Sequence, residues 1–281
     1  MNLTEKKRLQ KLAVEARMDI LEMVYAAQSG HPGGSLSATE LLVYLYFKQM
    51  SIDPKNPKWE QRDRLVLSKG HVTPILYSCL AMKGYFPKSE LNNFRKYGSI
   101  LQGHPDMKNT PGVDMSTGSL GQGLSCAVGM AYIGQKEETK FNVYAVVGDG
   151  EVQEGQIWEA LMFAGNHKLN NLCVVIDYNH IQICGFVEDV NNPAPLDKKL
   201  EAFGFDVAIV DGHDFDSIEN AFSQFKKSDK PLAIIAETVK GKGVSFMENS
   251  ANWHGKAPNK ELYEQAMAEL QQTKKQLEEA E

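Results

Sequence analysis

The 281-residue sequence contains no run of about 18 apolar residues, and Lys6, Lys7, Arg8, Lys11 and Glu15 interrupt the apolar residues near its start. Neither a membrane span nor a signal-peptide core is expected. There is no surplus of positive charge either. The formal net charge is −6, so nucleic acid and anionic membrane surfaces find no basic footprint, and any phosphate recognition must be local. Cysteine is scarce: Cys79, Cys126, Cys173 and Cys184 form no C-x-x-C pair. Three of them sit in apolar stretches, which fits reduced, buried thiols and a cytoplasmic location. Repeats, low-complexity blocks and an evident interdomain linker are missing, as is a G-x-G-x-x-G after the first strand with an acidic residue about twenty positions on. What is there is 42% hydrophobic and 23% charged, enough to bury a sizeable core.

Residues 5–28 place Leu9, Leu12, Ala13, Ala16, Ile20, Met23 and Val24 at three- and four-residue steps, the period of a helix with one buried face. A second helix is expected from Ser37 to Met50, with Ser37 as N-cap and Glu40 completing a capping box. Leu65–Leu67 reads as a short strand emptying into Ser68-Lys69-Gly70-His71. Further on, 143–147, 172–176, 207–210 and 232–236 are continuous apolar runs rich in β-branched residues, the pattern of strands covered on both faces. Helix-like stretches at 154–167, 197–203 and 215–227 alternate with them. The expected fold class is therefore α/β, a doubly wound, mostly parallel sheet flanked by helices. Residues 1–259 are expected to form one domain and 260–281 a charged helical tail, solvated or at an interface.

The most informative segment lies where the strand ending at Val147 meets Gly148-Asp149-Gly150-Glu151. Just past the next apolar strand comes Asn179, thirty residues after Asp149. Two neighbouring strands would deliver an Asp and an Asn to one crevice beyond their carboxyl ends. A small hard cation takes oxygen ligands and commonly shares them with phosphates, so a carboxylate plus an amide oxygen suits it. The glycines let the backbone approach a diphosphate and bond it through N–H groups. A bare Gly-Asp-Gly would read more simply as a tight turn with an Asp N-cap; the placed Asn179 favours the cation site.

Gly148-Asp149-Gly150 through Asn179 resembles the thiamine diphosphate signature, and the surrounding motifs resemble the transketolase family over nearly the whole chain. The matching segments are Arg17 to Gly33, Arg62 to His71, Gln102-Gly103-His104-Pro105, Ser116 to Gly123, Gly148-Asp149-Gly150 with Glu154-Gly155, and Trp253 to Pro258. The resemblance implies the thiamine diphosphate-binding fold. It also implies that Asp149 and Asn179 hold Mg²⁺ or Ca²⁺ with the Ile181 carbonyl, while Gly150, His71 and His254 contact the diphosphate. Asn179, Gly118, Leu120 and Ile181 would lie along the cofactor. His31, His71, His104 and His254 would ring the reactive carbon: His104 on donor hydroxyls, His31 and His254 on the acceptor or its protons, and His71 on the diphosphate. Imidazole titrates near neutral pH, which suits hydroxyls that lose and regain protons. Glu154 is either a first-turn carboxylate complementing a helix dipole or, as the family implies, a catalytic-site carboxylate in an interface network beside the cofactor. His180 follows Asn179 where the family has a second Asn, which leaves the metal ligand in place. His167, His180 and His213 match no motif position and are read as structural or surface residues.

Family members in one chain run to more than twice this length. The pyrimidine-binding half, its activating glutamate and the arginines that grip the sugar phosphate have no counterpart here. The resemblance therefore implies a partner subunit, in an α2β2 assembly acting on sugar phosphates. Three other readings compete. One is half of another thiamine diphosphate enzyme, such as 1-deoxyxylulose-5-phosphate synthase or a transketolase for a sulfonated or branched sugar. Another is a non-catalytic regulatory subunit, and a nicotinamide enzyme is the last.

Overall fold

Residues 1–137 and 141–279 are described by a computed structural model of the chain. Helix α1 (Leu3–Ala27) starts where the Asn2 side chain accepts the Glu5 N–H at 2.8 Å, and it ends on Gln28 in the left-handed region, φ 47°. Pro32 opens α2 (Pro32–Ser37), and α3 (Thr39–Tyr44) runs on into one π turn, Leu45–Gln49. Then come β1 (Arg64–Leu67), α4 (Thr73–Lys83), α5 (Gln122–Lys136), β2 (Val143–Gly148), α6 (Gly155–Asn166) and β3 (Leu172–Tyr178). A small hairpin, β4 (Ile181–Gln182) and β5 (Gly185–Phe186), precedes α7 (Val187–Asn191) and α8 (Leu196–Ala202). The chain closes with β6 (Asp206–Asp211), α9 (Phe215–Phe222), β7 (Leu232–Glu237) and α10 (Lys260–Glu279).

Among the described residues, five strands form one parallel sheet in the order β1-β2-β3-β7-β6. Alternate residues feed two cores. Tyr144, Val146, Cys173, Val175 and Ile234 join the cluster built with α1 to α4, α9 and α10. Val143, Ala145, Val147, Val174 and Ile176 join the one built with α5, α6 and α8. This two-sided burial is why the strands read as unbroken apolar runs, each buried Val or Ile contributing about 1.5–3 kcal/mol. The sheet is doubly wound, as expected.

Some expectations are corrected. The strand at 207–210 lies at the sheet edge, and Ile209 is 59% exposed, so one of its faces is not covered. Ser37 does not cap a helix: it ends α2, and its hydroxyl donates to Asp177 Oδ2 at 2.5 Å. A buried carboxylate needs donors more than a continuing helix needs a cap. Glu40 pairs with Arg17 instead of completing a capping box. The four cysteines are free, but Cys126 is half-buried and Cys184, in the turn between β4 and β5, is exposed. Helix α10 packs on α1, burying Ala266 and Leu270 and stacking Tyr263 on Tyr25 with ring centroids 4.1 Å apart.

Register sets the functional edge. Gly148 pairs with Asp177, and Asp177 with Ala236. Asp149, Asn179 and Thr238 therefore leave the sheet side by side at its carboxyl edge, where ligands bind in folds of this class.

Candidate functional site

Asp149 is 3% exposed. Its Oδ1 accepts the Gly150 N–H at 2.7 Å, while Oδ2 is buried with no hydrogen-bond partner among the described residues. Asn179, equally buried, donates to Ser37 Oγ at 3.2 Å and accepts the Ile181 N–H through Oδ1, also at 3.2 Å. Both side chains face one cavity of about 360 Å³, which is also lined by His31, His71, Gly118, Leu120, Gly150, Glu154, Ile181 and His254. Every site residue expected from the sequence thus lines this cavity except His104. That ring lies against the cavity's Gly118: a Cβ built there would fall 2.7 Å from His104 Cδ2, which is why this position is glycine. Glu154 stands exposed at the rim, at the N-cap position of α6 without a side-chain capping bond.

His31, His71 and His254 form a close triangle, with ring centroids 5.1, 5.5 and 5.2 Å apart. Burial, reinforced by Arg95, His104 and Lys240, lowers His31 to about 4. Burial and then Lys240 lower His254 to about 3, and burial and then Lys69 hold His71 well below the ordinary value. His104 is also lowered, by burial and Arg95. The expectation that these rings titrate near neutrality is therefore corrected for the free site. All four are neutral at pH 7, each offering one N–H and one lone pair.

The chemistry of the floor was hidden from the sequence. Asp177, wholly buried, accepts from the Lys69 ammonium, the Ser37 and Thr238 hydroxyls and the Asn179 amide. Burial alone would raise its pKa; Lys69 and these donors lower it. Its only signal was a charge inside an apolar run. Lys240, 2% exposed, donates to the Ile181 carbonyl at 2.7 Å and contacts His254 Nδ1 at 3.0 Å. Burial lowers its pKa to about 8 despite the nearby Asp149. Glu151 joins three loops by accepting from Ser68 Oγ (2.6 Å), the Gly121 N–H (2.9 Å) and the Gly148 N–H (3.1 Å). Arg95 bonds Ser29 Oγ at 2.8 Å and lies flat on Gly103, bridging the loops that carry His31 and His104.

These residues fit a divalent cation and a diphosphate. Burial, then Asp177, pushes Asp149 up to about 6, and among the described residues its buried Oδ2 has no partner, nor has the buried Nδ1 of His31 in the same cavity. Among the described residues no three His, Cys, Asp or Glu side chains gather as a metal site. The donor set is one carboxylate, one amide and the Ile181 carbonyl, which keeps a lone pair beside its bond from Lys240. The histidines, Lys69 and Lys240 supply N–H donors across the cavity.

Comparison with known proteins points to one family. Residues 9–277 match the family model for transketolase, thiamine diphosphate binding domain. A 6-deoxy-6-sulfo-D-fructose transketolase subunit of Clostridium sp. is 48% identical over 264 residues, covering 94% of this chain and 96% of the relative. A subunit of the apulose-4-phosphate transketolase of Phocaeicola vulgatus is 40% identical, covering 93% of each. Mouse transketolase is 42% identical over 95% of this chain, which spans only 43% of the mouse protein's length. The crystal structure of transketolase from Campylobacter jejuni superposes with a TM-score of 0.90 at 36% identity, over 99% of this chain and 46% of that one. The chain belongs to the transketolase thiamine diphosphate-binding domain family.

Proposed function

We propose that this chain is the diphosphate-binding subunit of a split transketolase, which moves a two-carbon ketol unit from a ketose phosphate to an aldose phosphate with thiamine diphosphate and Mg²⁺. The observation that carries the reading is the unpartnered, buried Oδ2 of Asp149, which shares its cavity with Asn179 and the histidine triangle. Asp149, Asn179 and the Ile181 carbonyl would hold Mg²⁺ (Ca²⁺ would also suit these oxygens). Gly150, His71 and His254 would contact the diphosphate, with Lys69 and Lys240 adding positive charge. Gly118 and Leu120 would flank the cofactor. When bound, the cofactor supplies the carbanion-stabilising chemistry at the substrate carbonyl.

The chain's own part is to bind, orient and move protons. Neutral His31 and His104 each accept a proton or hydrogen bond from a sugar hydroxyl on one nitrogen and donate from the other. Leu120 and the buried Ile181 limit water on the cofactor side. Glu154, exposed at the rim, would meet a second chain and link two sites.

Two of the relatives above are named as subunits at nearly this chain's length, which supports a partner subunit; that partner would carry the pyrimidine half, in an α2β2 assembly. Free cysteines and sugar-phosphate chemistry support a cytoplasmic setting. The same two names favour a second reading of the substrate, a sulfonated or branched sugar in place of the pentose phosphates.

Calorimetry tests the cofactor reading. The chain is expected to bind thiamine diphosphate only with a divalent cation and not to bind NAD, and Asp149→Ala should weaken binding at least a hundredfold without unfolding the chain. Unchanged affinity in that variant would refute the site. A panel of sugar donors and acceptors, given to the chain reconstituted with its partner, then identifies the substrate.

A further inference from the structure

The sequence offered Glu40 only as part of a capping box and His213 only as a structural or surface residue, yet with Arg17 they form a closed set outside the cavity. Glu40, on α3, is buried and pairs with Arg17 of α1 at 2.7 Å and with His213 Nδ1 at 2.9 Å. Burial would raise this carboxyl; Arg17 and His213 hold it down to about 2. His213 Nε2 accepts the Val239 N–H at 2.8 Å, which fixes the tautomer with the proton on Nδ1, directed at Glu40. Arg17 Nε donates to the Lys242 carbonyl at 2.9 Å, and its side chain lies against Gly243. Arg17 and His213, the two partners of Glu40, thus grip the backbone that leaves β7, on either side of Lys240.

We propose that Arg17, Glu40 and His213 are positioning residues that act together to hold Lys240 in the diphosphate cavity. A lysine with its ammonium in a closed pocket gains by swinging its long stem to water. Lys240 stays because its backbone cannot follow: Val239 is held by His213, Gly241 donates to the Gly33 carbonyl at 3.0 Å, and Lys242 is held by Arg17. The Glu40 carboxylate joins the two side-chain anchors, so that neither moves without breaking a buried charged contact. The role resembles that of outer residues which orient the ligands of a metal site without touching the metal. The set touches neither cofactor nor substrate, and its link to diphosphate binding rests on the cofactor reading above.

The test uses the full-length chain, the variants His213→Phe and Lys240→Met, and their combination. Hydrogen exchange should show residues 238–243 losing protection in His213→Phe while β2 and β3 keep theirs. The affinity for inorganic diphosphate with Mg²⁺ should fall about tenfold, the worth of one hydrogen bond. That loss should vanish when His213→Phe is made on the Lys240→Met background, because a positioning residue has nothing left to position. His213→Gln, which retains an acceptor for Val239, should recover most of the affinity and serves if His213→Phe fails to fold. An equal loss on both backgrounds, or unchanged exchange at 238–243, overturns the proposal. If the native chain bound no diphosphate, the cofactor reading would fall, and exchange alone would uphold or overturn the positioning role.

Discussion

Asp149 and Asp177 show how two carboxylates at the ends of paired strands take opposite parts. Asp177 is surrounded by donors and lies beside Lys69, so it is ionised and structural. Asp149 has one backbone donor and an unpartnered oxygen, and its pKa is pushed up to about 6 by burial and Asp177. A folded pKa above the ordinary 3.8 means that ionisation disfavours the folded state. The penalty is absent below about pH 3.8 and complete above about pH 6. Asp149→Asn is therefore expected to raise metal-free stability at pH 8 by about 2–3 kcal/mol, a gain that disappears near pH 4. Urea denaturation in chelator at both pH values measures this, and a gain of equal size at pH 4 would contradict it. Lys69→Met should do the reverse. It strands Asp177 as a buried charge and should cost about 3–5 kcal/mol, read as a lowered urea midpoint at pH 7. Asp149 was legible because a Gly-Asp-Gly after a strand has few other uses once Asn179 follows. Asp177 carried only its place in an apolar run and Lys240 no signal, since the partners that hold them lie far away in the chain.

Among elements, turns between strand and helix carry the chemistry, and their glycines are fixed by contact. A Cβ on Gly70 would fall 2.8 Å from the Gly118 nitrogen and from the Thr117 carbonyl carbon, backbone atoms of the loop expected along the cofactor. Gly70→Ala should separate the His71 turn from that loop and weaken thiamine diphosphate binding at least tenfold by calorimetry; native affinity would show that the two loops need not touch. Helix α10 has a different task. Leu270 is 1% exposed against α1, so Leu270→Ala should cost about 2–4 kcal/mol in urea, whereas a fully solvated tail would lose nothing. The central strands were legible because burial on both faces writes an unbroken apolar run. The break near Ser37 was not, since it answers to Asp177, which is 140 residues away.

For the whole molecule, the chain spans less than half the length of mouse transketolase but nearly all of two named subunits. Helices α5 and α6 pack together and leave Ile133, Met162 and Phe163 exposed, while Leu120 and Ile183 are bare at the cavity mouth. Apolar surface of this kind is usually covered in an assembly. Co-expressed with the subunit that supplies the pyrimidine half, the chain should scatter light at the mass of two copies of each. Ketol transfer should then appear only in the mixture. Robust activity from the isolated chain would defeat the two-subunit reading.

The sequence alone determined the alternation of strand and helix and the motifs in which the candidate residues sit. Both depend on periodicity and on what immediately follows a strand, and these are properties of neighbours in the chain. Tertiary structure alone decided that Lys69 neutralises Asp177 while Asp149 Oδ2 stays unpartnered, that burial lowers the pKa of His31, His71 and His254, and that Lys240 enters the cavity under the hold of Arg17, Glu40 and His213. Charge pairing and desolvation depend on distance and burial in space. Segments as far apart as Arg17 and Lys242 acquire those only when the chain has folded.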